Sequence, residues 1–198
     1  MSKLRYFYGT MASAKSSNLL MKVHQFEDSG AKCLLLKPSI DNRSEGEIYS
    51  RIIPSRPCYL INSLTDICKL VYNIMDYETG ENYDYIFVDE VQFLSKEQIK
   101  QLWVLAHKQN INVFCYGLKN TYKNTLFPGA EQLLIMADTS EEIKSKCYYC
   151  GNKATTHLRL INGKPETEGK IVNIDNKENR NKKEEYKSVC QDCWYNRK

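Results

Sequence analysis

The stretch Tyr6-Phe-Tyr-Gly-Thr-Met-Ala-Ser-Ala-Lys-Ser-Ser17 decides the fold. Gly9, Lys15 and Ser16 fill the first glycine, the lysine and the hydroxyl of the pattern G-x-x-x-x-G-K-[ST], a loop that cradles phosphates. A short loop entering a helix turns several backbone N–H groups toward one point, and the helix start adds partial positive charge. The lysine then reaches the outer phosphates, and the hydroxyl takes a place on Mg2+. The candidate nucleotide-binding segment is thus Gly9, Thr10, Met11, Ala12, Ser13, Ala14, Lys15 and Ser16. Ala14 stands where the pattern has its second glycine. If that position is left-handed, alanine costs about 1–2 kcal/mol, an expected loss of roughly 5–30-fold in nucleotide affinity.

The flanks supply the frame that such a loop requires. Residues 4–8 are short, aromatic and bounded by glycine, which predicts a buried strand. Leu19, Leu20, Val23 and Phe26 recur at helical spacing, and Gly30 closes the helix. Further along, residues 32–37, 58–62, 83–88 and 111–116 read as strands. Helices are expected after Ser63 (with Asp66 as a capping box, through Met75), after Ser95 (with Gln98 as a second box), and from Pro128. The alternation predicts an α/β fold, a parallel sheet with helices on both faces. Gly9, Asp41, Asp89 and Gly117 then fall beyond the carboxyl ends of strands, where such sheets bind ligands.

The chain of 198 residues is 42% apolar and carries a net charge of +4, enough for a proper core and too mild to select nucleic acid as a partner. No apolar run approaches membrane-spanning length, and Met-Ser-Lys-Leu-Arg at the start lacks the apolar core of a secretory signal, so a cytoplasmic protein is expected. Eight cysteines in that setting do not imply a disulfide framework, and Cys33, Cys58, Cys68 and Cys115 read as small core residues.

From about residue 141 the helical periodicity fades, and an Asn162-Gly163 turn signal appears between short β-like runs. This divides the chain into a nucleotide-binding unit, 1–140, and a small β-rich unit, 141–198. Cys147-x-x-Cys150 and Cys190-x-x-Cys193 read as a four-thiolate structural zinc site, across a gap of 39 residues. A segment of that size cannot hold itself together by burial alone, whereas structural zinc supplies on the order of 10–16 kcal/mol. Residues 175–185 carry four basic and four acidic side chains, a neutral sum that argues against a nucleic-acid-binding arm. Asp89-Glu90, delivered by a strand end, suits a carboxylate that holds Mg2+ opposite Ser16 and a second that accepts a proton.

Five motifs in order now resemble the type II, cytosolic-type, thymidine kinases. They are Gly9-Thr-Met-Ala-Ser-Ala-Lys-Ser16, Lys37-Pro-Ser-Ile-Asp-Asn-Arg43, Val88-Asp-Glu-Val-Gln-Phe-Leu94, Tyr116-Gly-Leu-Lys-Asn-Thr-Tyr122 and the paired cysteines. Gly163-Lys-Pro-x-x-x-Gly169 and Tyr186-x-x-Val-Cys190 extend the likeness. It implies a RecA-like phosphate-loop core and a small C-terminal zinc domain whose lasso loop closes over the nucleoside. It implies transfer of the ATP γ-phosphoryl group to the 5′-hydroxyl of thymidine, or of deoxyuridine.

On the matching positions, the resemblance implies Glu90 as general base, Lys15 as phosphate clamp, and Ser16 and Asp89 as supports for Mg2+, with Gln92 in the nucleotide set. It implies Asp41 and Arg43 at the transfer site, and Met11, Phe93, Leu118, Thr121, Tyr122, Phe127 and Tyr186 around the nucleoside. Homotetramers inhibited by thymidine triphosphate are the family's usual form. The chain departs from the pattern at Ala14, at Ser55-Arg56-Pro57-Cys58, at Val91 and Thr121, and in the lasso, where Ile174-Asp175-Asn176 replaces a glycine pair. These departures define the alternative, a catalytically impaired nucleotide-binding regulator of the same fold.

Overall fold

The computed structural model describes residues 3–41, 44, 46–80, 82–169, 171 and 183–197. Strand β1 (Leu4–Gly9) runs into helix α1 (Lys15–Asp28) through the glycine loop. β2 (Cys33–Pro38) follows, then the two-residue strands β3 (Glu47–Ile48) and β4 (Arg56–Pro57), and β5 (Tyr59–Ile61). Helix α2 (Ile67–Asn73) continues into a wider turn at Ile74–Thr79. β6 (Tyr85–Val88), α3 (Lys96–Lys108), β7 (Asn112–Gly117), α4 (Pro128–Met136) and β8 (Thr139–Ile143) complete the larger layer.

These elements build a six-stranded sheet in the order β5-β2-β6-β7-β1-β8, with every pairing parallel. Side chains alternate faithfully across it. Tyr6, Ile86, Val88, Val113 and Cys115 join the core beneath α2, α3 and α4, while Phe7, Phe87, Phe114 and Tyr116 join Leu19, Leu20 and Val23 of α1 on the other face. Burying large apolar side chains on both faces is what a parallel sheet requires. Only β7 lies between β1 and β6, so the loop leaving β1 and the acidic pair leaving β6 emerge close together at one edge.

The helix starts follow local chemistry. Ser95 and Gln98 form the reciprocal capping box, each side chain bonded to the other's backbone N–H at 3.2 and 3.1 Å. Pro128 occupies the first turn of α4. At α2 the expected Ser63–Asp66 box does not form. Asn62 and Thr65 close a turn of their own, with Leu64 N–H on Asn62 Oδ1 at 2.8 Å and Asn62 N–H on Thr65 Oγ1 at 3.0 Å. The helix start is thereby pushed to Ile67, and Asp66 caps it by accepting from Lys69 N–H at 3.0 Å. Of the scattered cysteines, Cys115 is buried and Cys33, Cys58 and Cys68 are half-buried, all as free thiols.

The C-terminal layer is a second, antiparallel sheet in the order β10-β9-β11, built from β9 (Thr156–Ile161), β10 (Lys164–Pro165) and β11 (Glu184–Val189), and followed by the short helix α5 (Gln191–Tyr195). Asn162 and Gly163, at φ of 51° and 77°, form the two-residue turn between β9 and β10. Leu158, Leu160 and Val189 form its core with Cys147, Cys190, Cys193 and Trp194. The expected lasso signature at Ile174-Asp175-Asn176 lies outside the described residues.

Candidate functional site

The loop after β1 is tight from its first residue. A Cβ at Gly9 would stand 2.5 Å from Ser13 Oγ and 2.6 Å from the Ile143 carbonyl oxygen, so no larger residue fits there. Ala12 and Ala14 take left-handed backbone, with φ of 58° and 61°. Ala14 does adopt the conformation for which glycine is favoured. Lys15 is buried, and its Nζ donates to the Thr10 carbonyl at 2.7 Å and lies 3.5 Å from Ser13 Oγ. The Lys15 ammonium therefore lies folded against the loop that its own helix begins.

Ser16 joins this loop to the acidic edge: its hydroxyl donates to Asp89 Oδ2 at 2.7 Å. The other Asp89 oxygen accepts from Glu90 N–H at 3.0 Å. Asp89 is 3% exposed, and its pKa is pushed up to about 7 by burial first and by the neighbouring Glu90 carboxylate second. The Ser16 hydroxyl, the Glu90 N–H and Lys15 oppose that rise. A buried carboxylate so raised gains strongly from a divalent cation beside it. Ser16 and Asp89 thus fit the donor pair for Mg2+.

Glu90 itself has φ 49° and ψ 37°, a left-handed glutamate, which is uncommon and strained. Its Oε2 accepts from Gln92 Nε2 at 2.5 Å, while Gln92 Oε1 accepts from Leu118 N–H at 2.9 Å. Gln92, expected in the nucleotide set, bridges Glu90 to the end of β7 through its amide. Behind Glu90, Phe93 and Phe127 meet edge to face at 6.0 Å, and Leu118 adjoins the same apolar cluster. This is a wall suited to a planar group.

The remaining expected residues are spread around this edge. Asp41 pairs at 3.3 Å with the fully buried Lys37, whose Nζ also donates to the Ser44 and Glu47 carbonyls at 2.6 and 3.1 Å. Arg43 lies outside the described residues. Thr121 is buried in a turn, its hydroxyl 2.9 Å from that of Thr125. Tyr122 is also buried, and its hydroxyl lies within 2.8 and 3.0 Å of the carbonyls of Glu168 and Gly169, where it donates. Arg159 sits over the Tyr122 ring at 5.1 Å, and its Nε donates to Glu184 at 2.7 Å. Tyr186 completes this knot, 6.4 Å from Tyr122 and bonded to Glu184.

Met11 belongs to the loop but its peptide faces the second sheet, bonded to His157 and Ser188. Neither partner was singled out in the sequence, nor was Arg159, because each acts over more than 35 residues and leaves no local pattern.

The sulfurs of Cys147, Cys150, Cys190 and Cys193 lie within 4.8 Å of one another. A tetrahedral site with metal–sulfur bonds near 2.3 Å places sulfurs about 3.8 Å apart. Burial resists ionisation of Cys147, but N–H groups of Cys190, Cys150 and Tyr149 outweigh it and lower the thiol to about 6. Burial raises the neighbouring Cys193 to about 12, so it is the mutual spacing of the four sulfurs that fits a closed four-thiolate metal site. Among the described residues, no helix is long and apolar enough to cross a membrane.

Such an arrangement, a phosphate-type loop facing paired carboxylates beside an aromatic wall, suits a phosphotransferase. The family description "Thymidine kinase" matches residues 2–194. The thymidine kinase of Streptococcus thermophilus strain CNRZ 1066 is 38% identical over 197 residues, covering 99% of this chain and 95% of that protein. That of Lactobacillus acidophilus strain NCFM is 36% identical over 195 residues, covering 96% and 95%. That of Streptococcus pyogenes serotype M3 is 35% identical over 198 residues, covering 99% and 98%. The chain belongs to the thymidine kinase family.

Proposed function

We propose that the protein transfers the γ-phosphoryl group of ATP to the 5′-hydroxyl of thymidine, giving thymidine monophosphate. The observation that supports this reading is the Ser16–Asp89 hydrogen bond with the Glu90 carboxylate on the next residue. Residues 9–16 hold the phosphates through backbone N–H groups, and Lys15 swings from the Thr10 carbonyl to the outer phosphates. Ser16 and Asp89 would hold Mg2+, which would supply charge neutralisation at the transferring group.

Glu90 orients the 5′-hydroxyl and takes its proton as the new O–P bond forms. Gln92 orients the Glu90 carboxylate by donating from its amide to Oε2. Because the transition state is loose, positioning and charge neutralisation outweigh base strength. Phe93, Leu118 and Phe127 flank the base, with Met11, Asp41, Arg43 and Thr121 in the nucleoside set by family resemblance. Tyr122 and Tyr186 complete the nucleoside set by the same resemblance. Zinc on Cys147, Cys150, Cys190 and Cys193 is structural, because four thiolates leave no open position.

The division into a nucleotide unit, 1–140, and a zinc unit, 141–198, is part of this proposal; the separate parallel and antiparallel sheets support two units, with β8 (Thr139–Ile143) on the edge of the first. A cytoplasmic homotetramer inhibited by thymidine triphosphate is the expectation that family membership supports. A coupled assay of ADP release with ATP, Mg2+ and a panel of nucleosides tests the function. Turnover with thymidine, and a measured ratio to deoxyuridine, is expected; ADP release indifferent to any nucleoside would overturn the reading.

A further inference from the structure

The Met11 peptide unit is gripped on both sides by the second sheet. Its N–H donates to His157 Nε2 at 2.8 Å, and its carbonyl accepts from the Ser188 hydroxyl at 2.7 Å. His157 on β9 and Ser188 on β11 are direct cross-strand partners, so their side chains leave the sheet on one face, side by side. One residue before Met11, the hydroxyls of Thr10 and Ser145 lie 2.5 Å apart. One residue after it, Ala12 is left-handed.

The grip has the chemistry of a fixed support. His157 is 2% exposed, and burial, followed by the charge of Lys15, lowers it to about 4, which leaves the neutral ring needed to accept an N–H. The Asn120 backbone adjoins the same imidazole. Ser188 is placed by the cysteine cluster. Its carbonyl accepts from Tyr148 N–H at 2.9 Å, next to Cys147, and Cys190 stands two residues further along the chain. A continuous path therefore runs from both cysteine pairs through Ser188 to the Met11 carbonyl. A loop with two left-handed alanines has other conformations open to it, and these bonds select one.

We propose that His157 and Ser188 are positioning residues that hold the phosphate loop in its nucleotide-binding shape, and that they make nucleotide affinity depend on the metal-bearing sheet. This rests on the reading of residues 9–16 as the ATP site.

The test is calorimetric titration of Mg2+ with a non-hydrolysable ATP analogue into the zinc-loaded full chain and its variants. Ser188→Ala and His157→Leu are each expected to weaken analogue binding by about 2–10-fold, the scale of one lost hydrogen bond. Ser188→Thr and His157→Gln, which keep a donor and an acceptor, are expected to restore it. Chelation of the metal should weaken binding to the parent chain and have little further effect on the double variant, in which the link is already cut. Ser188→Ala decides the matter alone should His157→Leu fail to fold. Parental affinity in folded, zinc-loaded Ser188→Ala would overturn the proposal while leaving the ATP site intact. A parent chain that binds no analogue would overturn the nucleotide reading and this proposal together.

Discussion

The Ser16 hydroxyl donates to Asp89 Oδ2 at 2.7 Å, joining the loop after β1 to the end of β6 across the intervening strand β7. Residues 73 positions apart are thus brought to hydrogen-bond distance by strand order alone. The bond holds in register the two groups proposed for Mg2+, and it does so with Asp89 buried. That burial has a consequence for stability.

Asp89 titrates near 7 in the folded chain, above the roughly 3.9 of an unfolded aspartate. Its favourable contribution is full below about pH 4 and is lost as pH rises toward 7. Asp89→Asn is therefore expected to raise Tm in Mg2+-free buffer at pH 7.5, with little gain at pH 4, while abolishing Mg2+-dependent turnover. Thermal melts across that range check the sign.

Ala14→Gly removes left-handed strain that the folded chain carries in its own backbone. The relief of about 1–2 kcal/mol is partly offset by the entropy of glycine, about 0.5–1 kcal/mol. A Tm rise of roughly 1–4 °C is expected. Since the strain belongs to the fold, ATP affinity should change much less than the roughly 5–30-fold expected if binding alone imposed the left-handed turn. Melting curves and nucleotide titration on one sample separate the two.

Tyr122→Phe keeps the ring and deletes the hydroxyl that anchors the Glu168 and Gly169 carbonyls. The loss of a net bond, about 0.5–1.5 kcal/mol, predicts a rise in thymidine KM of roughly 2–10-fold. The KM for ATP should stay at the parental value, because Tyr122 anchors the chain leading into 170–182 and not the phosphate loop.

Much of this was legible because the signals are local. The frame of β1, loop and α1, the Ser95–Gln98 box and the Asn162-Gly163 turn each depend on neighbours within a few residues. Strand β8, Thr-Ser-Glu-Glu-Ile, was not legible: it is a sheet edge, largely solvated, and lacks the apolar alternation that marks a strand. The helix start at Ile67 is not legible in the sequence because two turn-forming side chains, Asn62 and Thr65, outcompete Ser63. His157 and Ser188 reach Met11 over 146 and 177 residues, a relation that only folding creates.

Removing the metal is expected to loosen the second sheet first. Leu158, Leu160 and Val189 form a small core that the cysteine cluster completes. With chelator, or in Cys190→Ser, hydrogen exchange should accelerate across β9 and β11 while β6 and β7 stay protected, and thymidine binding should be lost. Uniform protection in both sheets after complete metal loss would contradict a structural role.

The most direct test of the central claim is dTMP formation from ATP, Mg2+ and thymidine by Glu90→Gln beside the parent chain, with nucleotide affinity measured on both. The account predicts robust formation by the parent and a fall of at least about 100-fold in the variant, with ATP affinity preserved. Undiminished turnover in a folded Glu90→Gln protein would contradict it.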